Sequence, residues 1–186
     1  MPEPAAISLL RKECRSLHRE LERKDTFTKL LKRDVGIDDY ISALSVLYRF
    51  VSTFESGLLS LVEKTPLSEV YTPRLPLLRA DLEELNGVPP VRDDLPHETK
   101  SVEEACGFVY VLEGASLGSV IIRRHLKACL GSDLPLRYFG VRCEVPGHWE
   151  KVMGQLDAML ADPSSAAKAA KAAAGAFRTL ISMDSR

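Results

Sequence analysis

The sequence predicts an all-α fold, a helical bundle in a single domain covering residues 1–186. Apolar residues recur three and four positions apart in nearly every long segment, and no segment alternates apolar with polar residues as a half-buried strand would. A chain of 186 residues, 45% of them hydrophobic, suits one domain with a proper core. Lys plus Arg number 25 against 26 for Asp plus Glu. The chain therefore lacks the basic excess that phosphate binding needs, and nucleic acid is not an expected partner. No apolar run is read as reaching the roughly 20 residues of a membrane span, so no membrane partner is expected. The segment 1–8 lacks the basic and apolar regions of a signal peptide. Cys14, Cys106, Cys129 and Cys143 are scattered, with no CxxC pair. That argues against a zinc knuckle or a dithiol redox site and reads as the reduced thiols of a cytoplasmic protein.

The first helix is expected over about 7–23, with Ile7, Leu10, Cys14, Leu17 and Leu21 as its apolar stripe. A short turn of helix follows at about 27–31. Gly36 punctuates the chain, and Asp38 is the expected cap of a long helix to about 64, with Leu44, Leu47, Phe54, Leu58 and Leu61 on one side. Pro66, Pro73 and Pro76 break the next stretch into short pieces before a helix at about 77–85. Gly87, Pro89, Pro90 and Pro96 mark a loop. Ser101-Val-Glu-Glu104 reads as a capping box. It opens a helix to about 130, which Gly131 and Pro135 end. Residues 138–145 read as irregular. Two last helices are expected at about 148–160 and 165–182, with Asp162-Pro163 as cap and first turn of the second. The Ala/Lys stretch 166–176 reads as a strong helix former with a narrow core face. There is no internal repeat and no domain boundary.

Two segments carry candidate chemistry. Arg11, Arg15, His18 and Glu22 are spaced by four, three and four, so they lie along one line of the first helix, beside its apolar stripe. A neutral imidazole can offer one ring nitrogen to a metal while Glu22 accepts from the other. The same line is also what a solvated helix face looks like. Gly114 and Gly118 stand one turn apart inside the longest apolar helix, each costing about 1 kcal/mol relative to alanine. Their neighbours Ala115, Ser116 and Ser119 are small. Such a helix can pack closely against another, or it can kink and let something flat approach its backbone.

Together these segments resemble the heme oxygenase family. Leu10-Arg-Lys-Glu-Cys-Arg-Ser-Leu-His-Arg-Glu-Leu-Glu22 is similar to that family's proximal helix. Gly107-Phe-Val-Tyr-Val-Leu-Glu-Gly-Ala-Ser-Leu-Gly118 is similar to the distal helix of its bacterial branch, which includes enzymes associated with bacteriophytochromes and reads Tyr-Val-Leu-Glu-Gly-Ser-x-Leu-Gly-Gly. The stretch from Asp39-Tyr40 to Glu55, and Tyr138-Phe-Gly140 followed by Trp149, extend the resemblance over most of the chain.

The resemblance implies a heme oxygenase-like helical bundle that acts as an oxidoreductase. It cleaves heme b, at once substrate and cofactor, with O2 and electrons, and yields biliverdin, ferrous iron and carbon monoxide. His18 is the implied iron ligand and Glu22 its hydrogen-bond partner. Arg11 is the implied contact to a heme propionate and Arg142 the cation for the other, while Arg15, on the same helix line, could meet anionic groups of the ligand. Tyr110 and Ser119 are implied to line the heme site. Gly114, Gly118 and Ser116 are the implied catalytic positions, the glycines against the heme face and Ser116 beside water that supplies protons. The electron donor would be a ferredoxin or a flavoprotein reductase, and the protein a monomer. Three positions depart from the family pattern: Ser119 replaces a second consecutive glycine, Ala115 stands where animal-type enzymes have Asp, and Cys14 replaces a commoner Thr. These departures keep open a heme carrier or sensor without turnover. A protein of the same architecture with another ligand also stays open, although no His follows a Glu by three residues, as a di-iron site would need. A structural interaction protein has only the Ala/Lys helix in its favour. His97, His125 and His148 read as solvated or structural.

Overall fold

The computed structural model describes residues 4–90, 97–142 and 145–184. Pro96 of the expected loop and Cys143 lie outside the described residues. The elements run α1 (Ala5–Leu21), α2 (Asp25–Lys29), α3 (Ile37–Val62), a 3-10 turn (Pro66–Glu69), α4 (Leu75–Glu84), α5 (Val102–Leu130), α6 (Arg137–Gly140), α7 (His148–Met159) and α8 (Pro163–Met183). There is no strand among the described residues, as the periodicity predicts.

Local signals fix the starts of α3, α5 and α8. The Ser101 hydroxyl accepts from the Glu104 N–H at 3.3 Å, and Asp162 accepts from the Ser165 N–H at 2.9 Å with Pro163 in the first turn. The Glu104 carboxylate reaches one residue further back than a capping box requires and accepts from Lys100 N at 2.8 Å. The start of α3 differs from expectation. Gly36 is its N-cap, and the Asp39 carboxylate reaches back to accept from the Gly36 N–H at 2.9 Å. Asp38 is therefore a first-turn residue. Residues 137–140 form the single turn α6 where irregular chain was expected. The buried Asp81 on α4 accepts from the N–H groups of Arg137 at 3.0 Å and Tyr138 at 2.9 Å, which gives the turn a cap supplied from elsewhere in the chain.

Packing brings α1 and α5 together through α8, which lies against both. The apolar stripe of α1 is buried at Ile7, Leu10 and Cys14. The core face of α8 is broad rather than narrow, with Ala166, Ala169, Ala170, Ala173, Ala174 and Ala176 all buried. Alanine has no side chain to hold a neighbour away, so two helices approach α8 closely on different sides. At the tightest point a β-carbon on Gly107 of α5 would stand 2.4 Å from the Ala169 carbonyl oxygen. α5 runs as one continuous helix through Gly114 and Gly118. By length and composition this helix is apolar enough to cross a membrane, which corrects the sequence reading, but 61% of its most apolar window is buried inside the protein. It is the central core helix of the bundle.

Candidate functional site

A cleft of about 1090 Å³ opens between α1 and α5. Compared with the several hundred cubic ångströms of an ordinary small-molecule pocket, it has room for a large ligand. The line read from α1 faces it: Arg11, Arg15, His18 and Glu22 all lie on the cleft. The His18 side chain is 58% exposed, and its Nδ1 stands 3.4 Å from Glu22 Oε1. Phe177 of α8 meets the imidazole edge-on at 5.8 Å between ring centroids and limits how the ring can turn.

The opposite wall is α5. Gly114, Gly118, Ser119 and Tyr110 line it, and the two glycines there do not serve packing. A β-carbon on Gly118 would have nothing within 4 Å, and one on Gly114 would meet only the Trp149 ring, at an ordinary 3.5 Å. The close-packing glycine is Gly107, which the sequence reading passed over. Leu117 and Ile121, on the same wall, are 56% and 65% exposed. An apolar surface left open beside bare backbone is suited to a flat, greasy ligand.

Two expected positions fall elsewhere. Ser116 is buried, and its hydroxyl donates to the Glu113 carbonyl at 2.6 Å, so it faces the core and not the cleft. At three residues' spacing its side chain turns back onto its own helix. Arg142 does not line the cleft: its Nε donates to Thr72 Oγ1 at 2.6 Å, from a backbone held at a φ of 53°. Ser119 does reach the cleft, with its hydroxyl donated to the Ala115 carbonyl at 3.0 Å. Cys14 also lines it, and burial pushes its thiol up to about 11, with Glu13 adding to the effect. The thiol is therefore a neutral part of the cleft wall.

The heme oxygenase family model matches residues 5–185, nearly the whole chain. The chain belongs to the heme oxygenase family. A heme oxygenase of Xanthomonas campestris is 32% identical over 160 residues, covering 82% of this chain and 94% of that protein. Among solved structures, heme oxygenase from Leptospira interrogans superposes with a TM-score of 0.77 at 16% identity, covering 97% of this chain and 98% of the other. Heme oxygenase-1 from the cyanobacterium Synechocystis, in complex with heme, gives 0.73 at 17% identity over 97% and 90%. The NO- and CO-bound enzyme from Neisseria meningitidis gives 0.75 at 19% over 97% and 92%.

Beneath the cleft this heme oxygenase family member carries a buried polar cluster that sequence reasoning missed. Glu113, 0% exposed, stands 2.6 Å from Arg74 Nη2 through one oxygen and accepts from His148 Nε2 at 2.7 Å through the other. The Arg74 contact is a close ion pair lying outside hydrogen-bond angles, and Nε and Nη1 have no hydrogen-bond partner among the described residues. Glu55, also buried, accepts from the Tyr71 hydroxyl at 2.6 Å, from Leu75 N at 2.8 Å and from Arg74 N. Burial raises the Tyr71 hydroxyl well above its ordinary range, and the adjacent Glu55 carboxylate raises it further. The available signal was Glu113 itself, a carboxylate inside the apolar run Phe108–Ser119, which in a core helix requires a buried partner.

Proposed function

We propose that the cleft binds heme b with His18 as the iron ligand, and that the protein cleaves it oxidatively to biliverdin, ferrous iron and carbon monoxide using O2 and donated electrons. The observation that carries this reading is the pairing of an accessible imidazole on α1 with a facing wall whose glycines pack against no protein backbone. Bound heme supplies the redox chemistry at its iron and porphyrin edge. The chain's own residues bind, orient and exclude water. Glu22 beside His18 Nδ1 favours the tautomer whose Nε2 lone pair is free for the iron. Arg11 and Arg15 place positive charge where the carboxylates of a heme centred at His18 can meet it. Gly114 and Gly118 admit the macrocycle and its small ligand against the α5 backbone. Ser119, whose proton is committed to Ala115, keeps lone pairs that can accept from a water in the cleft. It takes the polar role expected of Ser116.

The Leu112-to-Gly118 run supports placing the protein in the bacterial branch near the bacteriophytochrome-associated enzymes. Free thiols at Cys14, Cys106 and Cys129 support a reducing, cytoplasmic compartment. We propose a monomer, with a ferredoxin or flavoprotein reductase as donor. The test is a hemin titration followed by optical spectra, then ascorbate in air. A one-to-one complex with a sharp Soret band, converting to a biliverdin-like spectrum, is expected. His18→Ala should lose the histidine-ligated spectrum, with imidazole restoring it. Absence of saturable hemin binding would refute the reading, and tight binding without conversion would favour a heme carrier, as Ser119 on the cleft wall would suit.

A further inference from the structure

Beyond Gly114 the cleft wall is made by an indole from α7. Trp149 Cη2 lies 3.5 Å from the position of a β-carbon on residue 114, and its ring meets that of Tyr110 at 5.7 Å between centroids. Trp149 is half-buried, the second residue of α7, and the single tryptophan of the chain. α7 is entered through Gly147 at a φ of 73°, a left-handed position that reverses the chain sharply but does not itself aim an indole. The aim comes from the residue before it. His148 Nε2 donates to Glu113 Oε2, and Glu113 is the residue before Gly114. The two residues that meet at the cleft surface are therefore each next in sequence to the two that bond beneath it. Arg74 holds the other Glu113 oxygen. Apolar packing could press α7 onto α5 as firmly, but it would tolerate sliding. A buried directional bond fixes register.

Building on the reading of the cleft as a heme site, we propose that Trp149 is a specificity-determining residue, and that the Glu113–His148 bond is the positioning pair that holds its indole against α5. The indole is a rigid, bulky stop on one side of a cleft whose cationic side chains lie on α1. A flat ligand held by its carboxylates at Arg11 and Arg15 can turn in its plane only as far as that stop allows. In-plane orientation decides which meso carbon is presented for cleavage, so the stop should show in the biliverdin isomer distribution.

The single tryptophan gives the test a readout apart from turnover. Emission of the ligand-free protein and the isomers formed from hemin are compared in wild type, His148→Ala, His148→Gln, Glu113→Gln and Trp149→Ala. Circular dichroism checks that helix content is retained. His148→Ala is expected to shift emission to longer wavelength, as the indole is released toward water, and to spread the product over more isomers. His148→Gln, whose amide can still donate to Glu113, should restore both toward wild type. Glu113→Gln should keep most of the effect of the bond, and Trp149→Ala should spread the isomers as His148→Ala does. An unchanged emission maximum in His148→Ala overturns the positioning pair, and an unchanged isomer distribution in Trp149→Ala overturns the specificity role. Should wild type convert no hemin, the heme oxygenase reading fails, while the emission comparison still decides the positioning pair. If His148→Ala does not fold, His148→Phe, which fills the space but cannot donate to Glu113, carries the positioning arm with the same expected and refuting emission results, and Trp149→Ala carries the other.

Discussion

Gly107 and Gly118 lie on the same helix, yet alanine at the two positions should move stability in opposite directions. At Gly107 a methyl would sit 2.4 Å from the Ala169 carbonyl oxygen and 3.0 Å from both Ala172 Cβ and Ala173 N, two of the three being backbone that cannot rotate away. Relief requires α5 and α8 to separate by several tenths of an ångström along a tight contact. Overpacking of this kind costs about 1–3 kcal/mol, and the backbone contact places it at the upper end. Alanine regains about 1 kcal/mol of helix propensity, so the net loss is about 2 kcal/mol. At Gly118 nothing lies within 4 Å of the added methyl, and only the propensity gain of about 1 kcal/mol remains. For a chain of this size each kcal/mol moves Tm by about 2–4 °C. Gly107→Ala should therefore melt about 4–8 °C below wild type and Gly118→Ala about 2–4 °C above it, measured on ligand-free protein by circular dichroism. The same methyl at 118 projects into the cleft and should weaken hemin binding by about tenfold or more, a loss of at least about 1.4 kcal/mol. A ligand-free Gly118→Ala that melts below wild type, or a Gly107→Ala that melts with it, would refute the assignment of one glycine to packing and the other to the ligand.

Arg74→Met should leave the fully buried Glu113 without its cation and destabilise the fold by about 3–5 kcal/mol, and adding Glu113→Gln in the same chain should recover part of that loss in urea unfolding. Stability should fall as pH rises from about 9. The Cys14 and Cys106 thiols, near 9.0 when unfolded, are pushed up by burial to about 11 and about 12 in the fold. The unfolded chain therefore releases protons that the folded one keeps, and the alkaline side of a Tm profile reads this directly. At pH 8 the same two thiols should react with iodoacetamide far more slowly than the exposed Cys129.

What the sequence made legible was local. The stripe of α1, the caps Ser101 and Asp162, and the line of Arg11, Arg15, His18 and Glu22 depend on spacings of three and four, which the helix turns directly into faces. Arg11, Arg15, His18 and Glu22 do reach one cleft. What escaped depends on partners distant in the chain. Whether a glycine is for packing or for a ligand is decided by what lies opposite, and only the fold places Ala169 against Gly107 while leaving Gly118 bare. The turn α6 exists because a carboxylate 56 residues away accepts its first N–H. Ser116 and Ser119 look alike in sequence, but one returns to the Glu113 carbonyl and the other stands at the cleft. Arg142 was placed at the ligand by resemblance, and its bond to Thr72 turns it elsewhere. His148 read as an ordinary structural histidine; burial beside Glu113 agrees with that, and Trp149 next to it gives it more to do.

The alanine face of α8 also bears on how such a protein could be altered. The histidine wall and the glycine wall of the cleft are both seated on that one helix, as the jaws of a caliper are seated on a common beam. The width of the gap is therefore written largely in residues that never touch what lies in it. Redesign for a bulkier or thinner macrocycle would begin there, by exchanging alanine for serine or glycine along 166–176. Cleft-lining side chains could stay as they are, and the gauge of the opening would become a dial separate from its chemistry.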